Sequence, residues 1–264
     1  GQSAVLLAIT NILKSGDHLL SAQTLYGGTH ALVKNTLGRF GIESTFVDPE
    51  LSLETLKKSL KPNTKAVYAE TIGNPGMNVI DFEKFALLAE YASVPLIIDN
   101  TFATPFLCRP FEHGAHIVVH STTKYIDGQA TSLGGIVIDS GKYDFGNGKY
   151  PEFTMPDPSY HGLVYSEKFG ALAYTMRART QLLRDMGMAL SPFNAFMMHH
   201  GCETLHVRME RHSSNALRLA HYLEQHPLVK WVSYPGLPSS PSYERAQKYL
   251  PKGCSGVLAF GIEG

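Results

Sequence analysis

Apolar residues recur at helical spacing from the start of the chain, at Ala4, Leu7, Ala8, Ile12 and Leu13, and Gly16 closes the run. A short apolar segment, 18–22, follows and reads as a strand. The alternation then repeats. Residues 31–40 predict a helix closed by Gly41, 43–47 a strand, 52–60 a helix capped by Ser52, and 65–70 a strand. Next come a helix over 81–91 with Asp81 as its cap, and strands over 95–99, 117–120 and 135–139. Strands that are apolar throughout and separated by helices predict an α/β fold, a mostly parallel sheet with helices on both faces. Residues 139–161 interrupt the pattern with Gly, Pro, Asp and aromatic residues. They predict a long ordered loop, a feature often tied to function. Helical patterns over 166–188, 192–209 and 213–225 follow, then strand-like runs at 229–234 and 256–262 that read as a new unit. We place a boundary near Leu205.

Composition narrows the class. A chain of 264 residues is long enough for one large domain or one and a half. The 23 basic residues balance the 23 acidic ones, which argues against a dedicated nucleic-acid binder. No apolar run is long enough to span a membrane, and no leader-like segment supports secretion. Three widely spaced cysteines, Cys108, Cys202 and Cys254, fit a reduced, cytoplasmic setting. The chain opens at Gly1 almost directly in an apolar helical pattern and stops at Gly264 just after a strand-like run, so we expect an internal piece of a longer protein.

In open parallel sheets, ligands bind beyond the carboxyl ends of the strands, so the residues following each strand matter most. The run Pro95-Leu-Ile-Ile-Asp99 places a carboxylate at the end of an apolar strand. The run His120-Ser121-Thr-Thr123-Lys124 places a lysine after another, with hydroxyls one and three residues before it. Such a lysine can serve as an amine nucleophile, nearby hydroxyls can donate to a phosphate, and a strand-end Asp can pair with a pyridinium nitrogen. Together these parts suit pyridoxal phosphate. Each alone has a plainer reading, as surface lysine or helix cap, and only their spacing at successive strand ends favours chemistry. His116 and His120 share a strand face and His199 adjoins His200, but no matching Cys or carboxylate set accompanies them, so they read as structural. Cys108 reads as a buried structural thiol. Glu203, His206, Glu210 and Arg211 read as a solvated or subunit-facing helix surface. No P-loop or dinucleotide glycine motif occurs.

The blocks PLIIDNTFATP and HSTTKYIDG resemble those of the pyridoxal-phosphate enzymes of cysteine and methionine metabolism, the cystathionine γ-synthase and methionine γ-lyase family. The resemblance runs along nearly the whole chain. It implies a type I pyridoxal-phosphate transferase fold like that of aspartate aminotransferase, with 1–205 in a large cofactor domain lacking its N-terminal part and 206–264 opening a smaller one. By resemblance, Lys124 is the Schiff-base lysine, Asp99 meets the ring nitrogen, and Gly1, Gln2, Ser121 and Thr123 bind phosphate. Tyr26 stacks on the pyridoxal ring and assists catalysis, and Asn74 meets the phenolic oxygen. Tyr26 without the resemblance reads equally as core or turn. Thr131 in Gly128-Gln-Ala-Thr131, and the aromatic stretch 145–162, resemble the O-acetylhomoserine sulfhydrylase branch, although Gln129 stands where the family usually has His. The implied substrates are O-acetylhomoserine and sulfide or another thiol, and the implied assembly is a homotetramer of active dimers. Cystathionine γ-synthase or methionine γ-lyase activity, or a non-catalytic relative with a decayed site, stay open. The family's partner-subunit Tyr and Arg and its substrate-carboxylate arginine are expected outside the sequence.

Overall fold

The computed structural model describes residues 1–263. Six strands form one sheet: β1 (His18–Ala22), β2 (Glu43–Val47), β3 (Thr64–Glu70), β4 (Leu96–Asp99), β5 (Ile117–His120) and β6 (Ile136–Asp139). Their spatial order is β2-β1-β3-β4-β5-β6. The first five run parallel, and β6 lies antiparallel to β5. The reversal has a local cause. Parallel neighbours need a crossover, usually a helix. The β5–β6 connection holds turns but no helix and brings the chain straight back. The lysine block lies in that connection.

Alternation within the strands sends side chains to two cores. Leu20, Val67, Ala69, Leu96, Ile98 and Val118 pack with Phe82, Phe85 and Leu88 of the helix Phe82–Ala92. Leu19, Ala66, Tyr68, Ile97, Ile117 and Val119 pack on the other face with Ala4, Val5, Ala8 and Ile9 of the helix Gln2–Thr10. The two predicted caps form: Ser52 Oγ accepts the Thr55 N–H (3.3 Å) and Asp81 Oδ1 accepts the Lys84 N–H (3.1 Å).

Several helices differ from the pattern reading. The helix predicted over 31–40 starts at Gly27 and reaches Arg39 through a π-helical turn, Leu32–Thr36. The single helix predicted over 166–188 breaks at Gly170, whose φ of 51° is left-handed. The chain resumes as Ala173–Arg177 and a π-helical segment, Ala178–Leu183. Further on, the helices are Pro192–Glu203 and Leu205–Glu224, not 192–209 and 213–225. The polar run Glu210 to Ser214 looks like a break in sequence. The helix continues through it because Met209, Ser213, Ala216 and Ala220 share one buried face.

The aromatic stretch is the ordered loop that the sequence predicts, with two short helical turns, and its aromatic side chains are core. Phe145, Tyr150, Phe153 and Tyr174 are buried together over the helix Gln2–Thr10. Phe145 stacks on Phe153 and on Tyr174, with ring centroids 4.6 and 5.4 Å apart. Tyr174 Oη donates to the Ala8 carbonyl (2.9 Å), and Tyr150 Oη donates to the Lys65 carbonyl (2.7 Å). The first of these bonds braces the helix whose N-terminus faces the site, and the second ties the stretch to β3. At the far end, β7 (Val229–Ser233) and β8 (Ala259–Ile262) form a separate antiparallel pair. Leu205, Met209, Tyr234, Leu237 and Tyr249 extend the same core that covers the Phe82–Ala92 face.

Candidate active site

The carboxyl ends of β3, β4 and β5 and the β5–β6 connection open into a cavity of about 1290 Å³. All eight residues singled out in the sequence line it. Asp99, Ser121, Thr123 and Lys124 come from the sheet edge, Gly1 and Gln2 from the first helix, and Tyr26 and Asn74 from the loops after β1 and β3.

Asp99 ends β4 and stands opposite Glu70, the last residue of β3, in the parallel register. Asp99 Oδ1 accepts the Thr101 N–H (2.9 Å) and the Thr101 hydroxyl (2.5 Å). Thr101 Oγ1 in turn accepts the Ser121 N–H (2.8 Å) and so joins the ends of β4 and β5. Burial pushes the Asp99 carboxyl above the usual range, against the two Thr101 bonds. Burial, and then the neighbouring Asp99 charge, pushes Glu70 well above it. Tyr68, two residues before Glu70, is fully buried, and its hydroxyl has no hydrogen-bond partner among the described residues. Burial raises the Tyr68 phenol, and the Asp99 and Glu70 charges add to that.

The other side of the cavity is built to receive an anion. The helix Gln2–Thr10 begins after Gly1 without a side-chain cap; the Ala4 and Val5 N–H groups bond the Gly1 carbonyl, and the Gln2 and Ser3 N–H groups have no protein acceptor among the described residues. A Cβ on Gly1 would lie 2.7 Å from Ser121 Oγ, so glycine permits this close approach of helix end to hydroxyl. Gln2 Nε2 donates to Thr29 Oγ1 (3.1 Å). The Thr123 hydroxyl is already engaged: it donates to the Gly134 carbonyl (3.1 Å) and accepts the Gly134 N–H (3.0 Å). Thr123 therefore ties the two ends of the lysine loop together. Tyr26 is half exposed at the cavity, and its backbone N–H donates to Glu70 Oε1 (2.8 Å).

The loop carrying Lys124 is fixed beyond it as well. Asp127 accepts from Thr131 Oγ1 (2.6 Å), Thr131 N (2.9 Å), Ser132 Oγ (3.0 Å) and Gln129 N (3.3 Å). Burial would raise this carboxyl, but the bonds to Thr131, Ser132 and Gln129 outweigh it and hold Asp127 at about 2. A depressed carboxyl stabilises the fold above its unfolded pKa near ~4, and that contribution is lost as pH falls through the folded value. We therefore expect Asp127→Asn to be less stable than the parent at pH 7. Denaturant melts at successive pH values should show the gap closing below about pH 4.

Glu70, Thr101 and Tyr68 were not singled out in the sequence. Reading the residue that ends each strand, which finds Asp99, would have found Glu70. Thr101 stands two residues after Asp99, the position of an Asx turn. Tyr68 carries no signal in sequence beyond strand alternation. Among the described residues no group of three His, Cys, Asp or Glu is placed to hold a metal. His116 Nδ1 accepts the Leu96 N–H (3.1 Å), and burial lowers His120 to about 4. Cys108 is buried, which pushes its thiol up to about 12 and leaves it unreactive. Glu203, His206, Glu210 and Arg211 are exposed.

An anion-ready helix end and a Ser121 hydroxyl with no partner among the described residues at one cavity wall, a strand-end carboxylate pair, and a loop lysine fit a phosphorylated pyridine cofactor. A parallel α/β sheet carrying these parts at its carboxyl edge defines the class of pyridoxal-phosphate enzymes. The whole chain, residues 1–264, matches the Cys/Met metabolism PLP-dependent enzyme family, and the protein belongs to it. It is 51% identical to the homocysteine synthase of Schizosaccharomyces pombe, over 100% of this chain and 62% of that protein. It is 46% identical to the O-acetyl-L-homoserine sulfhydrylase of Leptospira meyeri, over 100% of this chain and again 62% of the relative. The chain thus spans less than two thirds of these relatives. A crystal structure assigned to an O-acetylhomoserine (thiol)-lyase of Campylobacter jejuni, with N'-pyridoxyl-lysine-5'-monophosphate, superposes with a TM-score of 0.94 at 39% identity. It covers 98% of this chain and 64% of that one. O-acetylhomoserine sulfhydrylase of Wolinella succinogenes gives a TM-score of 0.88 at 33% identity, over 100% of this chain and 72% of that one. No helix among the described residues is long and apolar enough to cross a membrane.

Proposed function

We propose that the protein replaces the acetoxy group of O-acetylhomoserine with sulfide or another thiol, releasing acetate and forming homocysteine or a thioether. The observation that carries this reading is the gathering of Lys124, Asp99 and the anion-ready wall in one cavity. Relatives named for this chemistry, at 43–51% identity along the whole chain, support it. Pyridoxal phosphate, when bound, supplies an electron sink for charge developing at the substrate Cα. Asp99 would hold the proton on the ring nitrogen. The N–H groups of the first helical turn after Gly1, including that of Gln2, and the Ser121 hydroxyl would bind the phosphate. Thr123 supports that wall through Gly134, and would reach the phosphate itself only by turning its hydroxyl away from the Gly134 carbonyl. Asn74 would donate to the phenolic oxygen, and the Tyr26 ring would stack on the pyridine ring beside the leaving group. The Lys124 amine would hold the cofactor covalently in the resting enzyme. Once freed, it would remove the Cα proton and then a Cβ proton, whose loss lets acetate leave Cγ with the C–O bonding pair; the thiol then adds at Cγ to form the C–S bond, and the amine would return protons to Cβ and Cα.

We assign 1–205 to the cofactor domain and 206–264 to the start of a smaller one, within a cytoplasmic homotetramer of active dimers. The test is acetate release from O-acetylhomoserine with and without sulfide, followed by methionine as sole substrate. Sulfide-dependent acetate release with homocysteine as product is expected. Preferred use of cysteine as nucleophile would instead indicate a cystathionine γ-synthase, and methanethiol from methionine a γ-lyase. A protein that never binds pyridoxal phosphate would indicate a non-catalytic relative.

A further inference from the structure

Glu70 is buried, yet the one hydrogen bond its carboxyl makes among the described residues reaches out to the site: Oε1 accepts the backbone N–H of Tyr26 (2.8 Å). Tyr26 is the residue before the helix turn Gly27–Ala31, with φ −51° and ψ 132°, and it makes no side-chain cap bond there. Its ring folds over Gly28, where a Cβ would lie 2.6 Å from Tyr26 Cε1. Two features therefore set where this half-exposed ring lies: a glycine that yields space, and an acceptor that fixes the backbone.

We propose that Glu70 is a positioning residue that acts through Tyr26, as a neutral acceptor that holds the tyrosine at the angle needed to cover the cofactor. The inference rests on the cofactor assignment above. Neutrality follows from geometry. Glu70 and Asp99 end adjacent parallel strands in register, about 5 Å apart along the sheet. Side chains of register partners share one sheet face, and the Asp99 charge disfavours ionisation of Glu70. Asp99 accepts two bonds from Thr101 and Glu70 one from Tyr26, so the negative charge belongs on Asp99 and the proton on Glu70. The titratable groups beside Glu70 are Asp99 across the register, whose charge favours the protonated form of Glu70, and Tyr68 on its own strand, whose phenol is itself pushed up by burial and stays neutral. An anionic Glu70 would also compete with Asp99 for a ring-nitrogen proton, which a neutral one does not.

The test compares Glu70→Gln with Glu70→Leu in the protein loaded with pyridoxal phosphate. Glutamine keeps an acceptor oxygen and cannot ionise. Leucine removes the acceptor and leaves the part-buried Tyr26 N–H without it, a loss worth about tenfold or more in kcat/KM. E70Q is expected to retain kcat/KM within about threefold and the parent's circular dichroism in the visible cofactor band. E70L is expected to lose about tenfold or more and to change that dichroism, which reports the ring packed against the cofactor. In a Tyr26→Ala background the E70L loss should shrink to less than about twofold, because the residue it acts through is gone. Equal losses in E70Q and E70L would overturn the proposal in favour of a charge role. A full E70L loss in the Y26A background would overturn it in favour of another route. If E70L does not fold, Glu70→Met, of similar length and without the acceptor, takes its place. The dichroism needs no turnover, so a wrong substrate assignment leaves this test standing. Failure of the parent protein to bind pyridoxal phosphate would instead refute the cofactor assignment.

Discussion

Lys124→Ala leaves the protein folded but without turnover: kcat/KM for O-acetylhomoserine falls by about 10⁴ or more, because one amine serves as covalent anchor and as proton carrier. The visible absorbance that follows addition of pyridoxal phosphate should be lost or shifted. After borohydride treatment the labelled peptide should map to Lys124 in the parent and be absent in the variant. The fold should tolerate the change because the loop does not depend on the lysine side chain. Thr123 is bonded in both directions to Gly134, and Asp127 gathers the chain from Gln129 to Ser132. Arg208 donates to the Tyr125 carbonyl (2.7 Å) from the helix Leu205–Glu224. Thermal melts of the cofactor-free forms should therefore differ little. A reducible adduct that persists in K124A would refute the role of Lys124, and a collapsed fold would show that the side chain supports the loop after all.

Much of this site was legible in the sequence because the sheet is simple. Apolar strands alternate with helices, so the ends of the strands are easy to locate; Asp99 lies at one and the Ser121–Lys124 block follows another, and their spacing, not either alone, marked them. The bounds of β1, β2 and β5 agree with the pattern because each strand is flanked by a turn or a polar residue. What was not legible depends on contacts far apart in the chain. The polar run from Glu210 stays helical because the residues around it are buried against the sheet core. The stretch from Phe145 to Tyr150 looks like loop because its burial depends on Tyr174 and on the first helix. Sequence order also hides that Thr123 meets Gly134 and that Glu70 meets Tyr26, since only the β5–β6 return and the β1–β3 pairing bring them together. The resemblance supplied roles for Gly1, Tyr26 and Asn74 that spacing could not, and the fold gathers all three at the same cavity.

Asp99→Asn should move stability and activity in opposite directions. In the cofactor-free protein the Asp99 carboxyl is raised by burial, beside a second carboxyl on Glu70. At low pH it is protonated in both folded and unfolded chains and contributes nothing. As pH rises past about 4 the unfolded carboxyl ionises while the folded one resists, so the folded state binds more protons and loses relative stability. The amide that D99N introduces carries no charge to desolvate and still offers an oxygen to Thr101. The variant's cofactor-free form should therefore resist urea better than the parent at pH 8, with the advantage fading toward pH 4. With the cofactor present the order reverses. A neutral amide does not hold a proton on the ring nitrogen as a carboxylate does, and kcat/KM should fall by about 10²–10³. A strand-end carboxylate retained at a cost to the empty fold is what a functional site requires. Equal urea resistance of D99N and parent at pH 8 would mean that Thr101 alone compensates the burial. Undiminished activity in D99N would remove Asp99 from the chemistry.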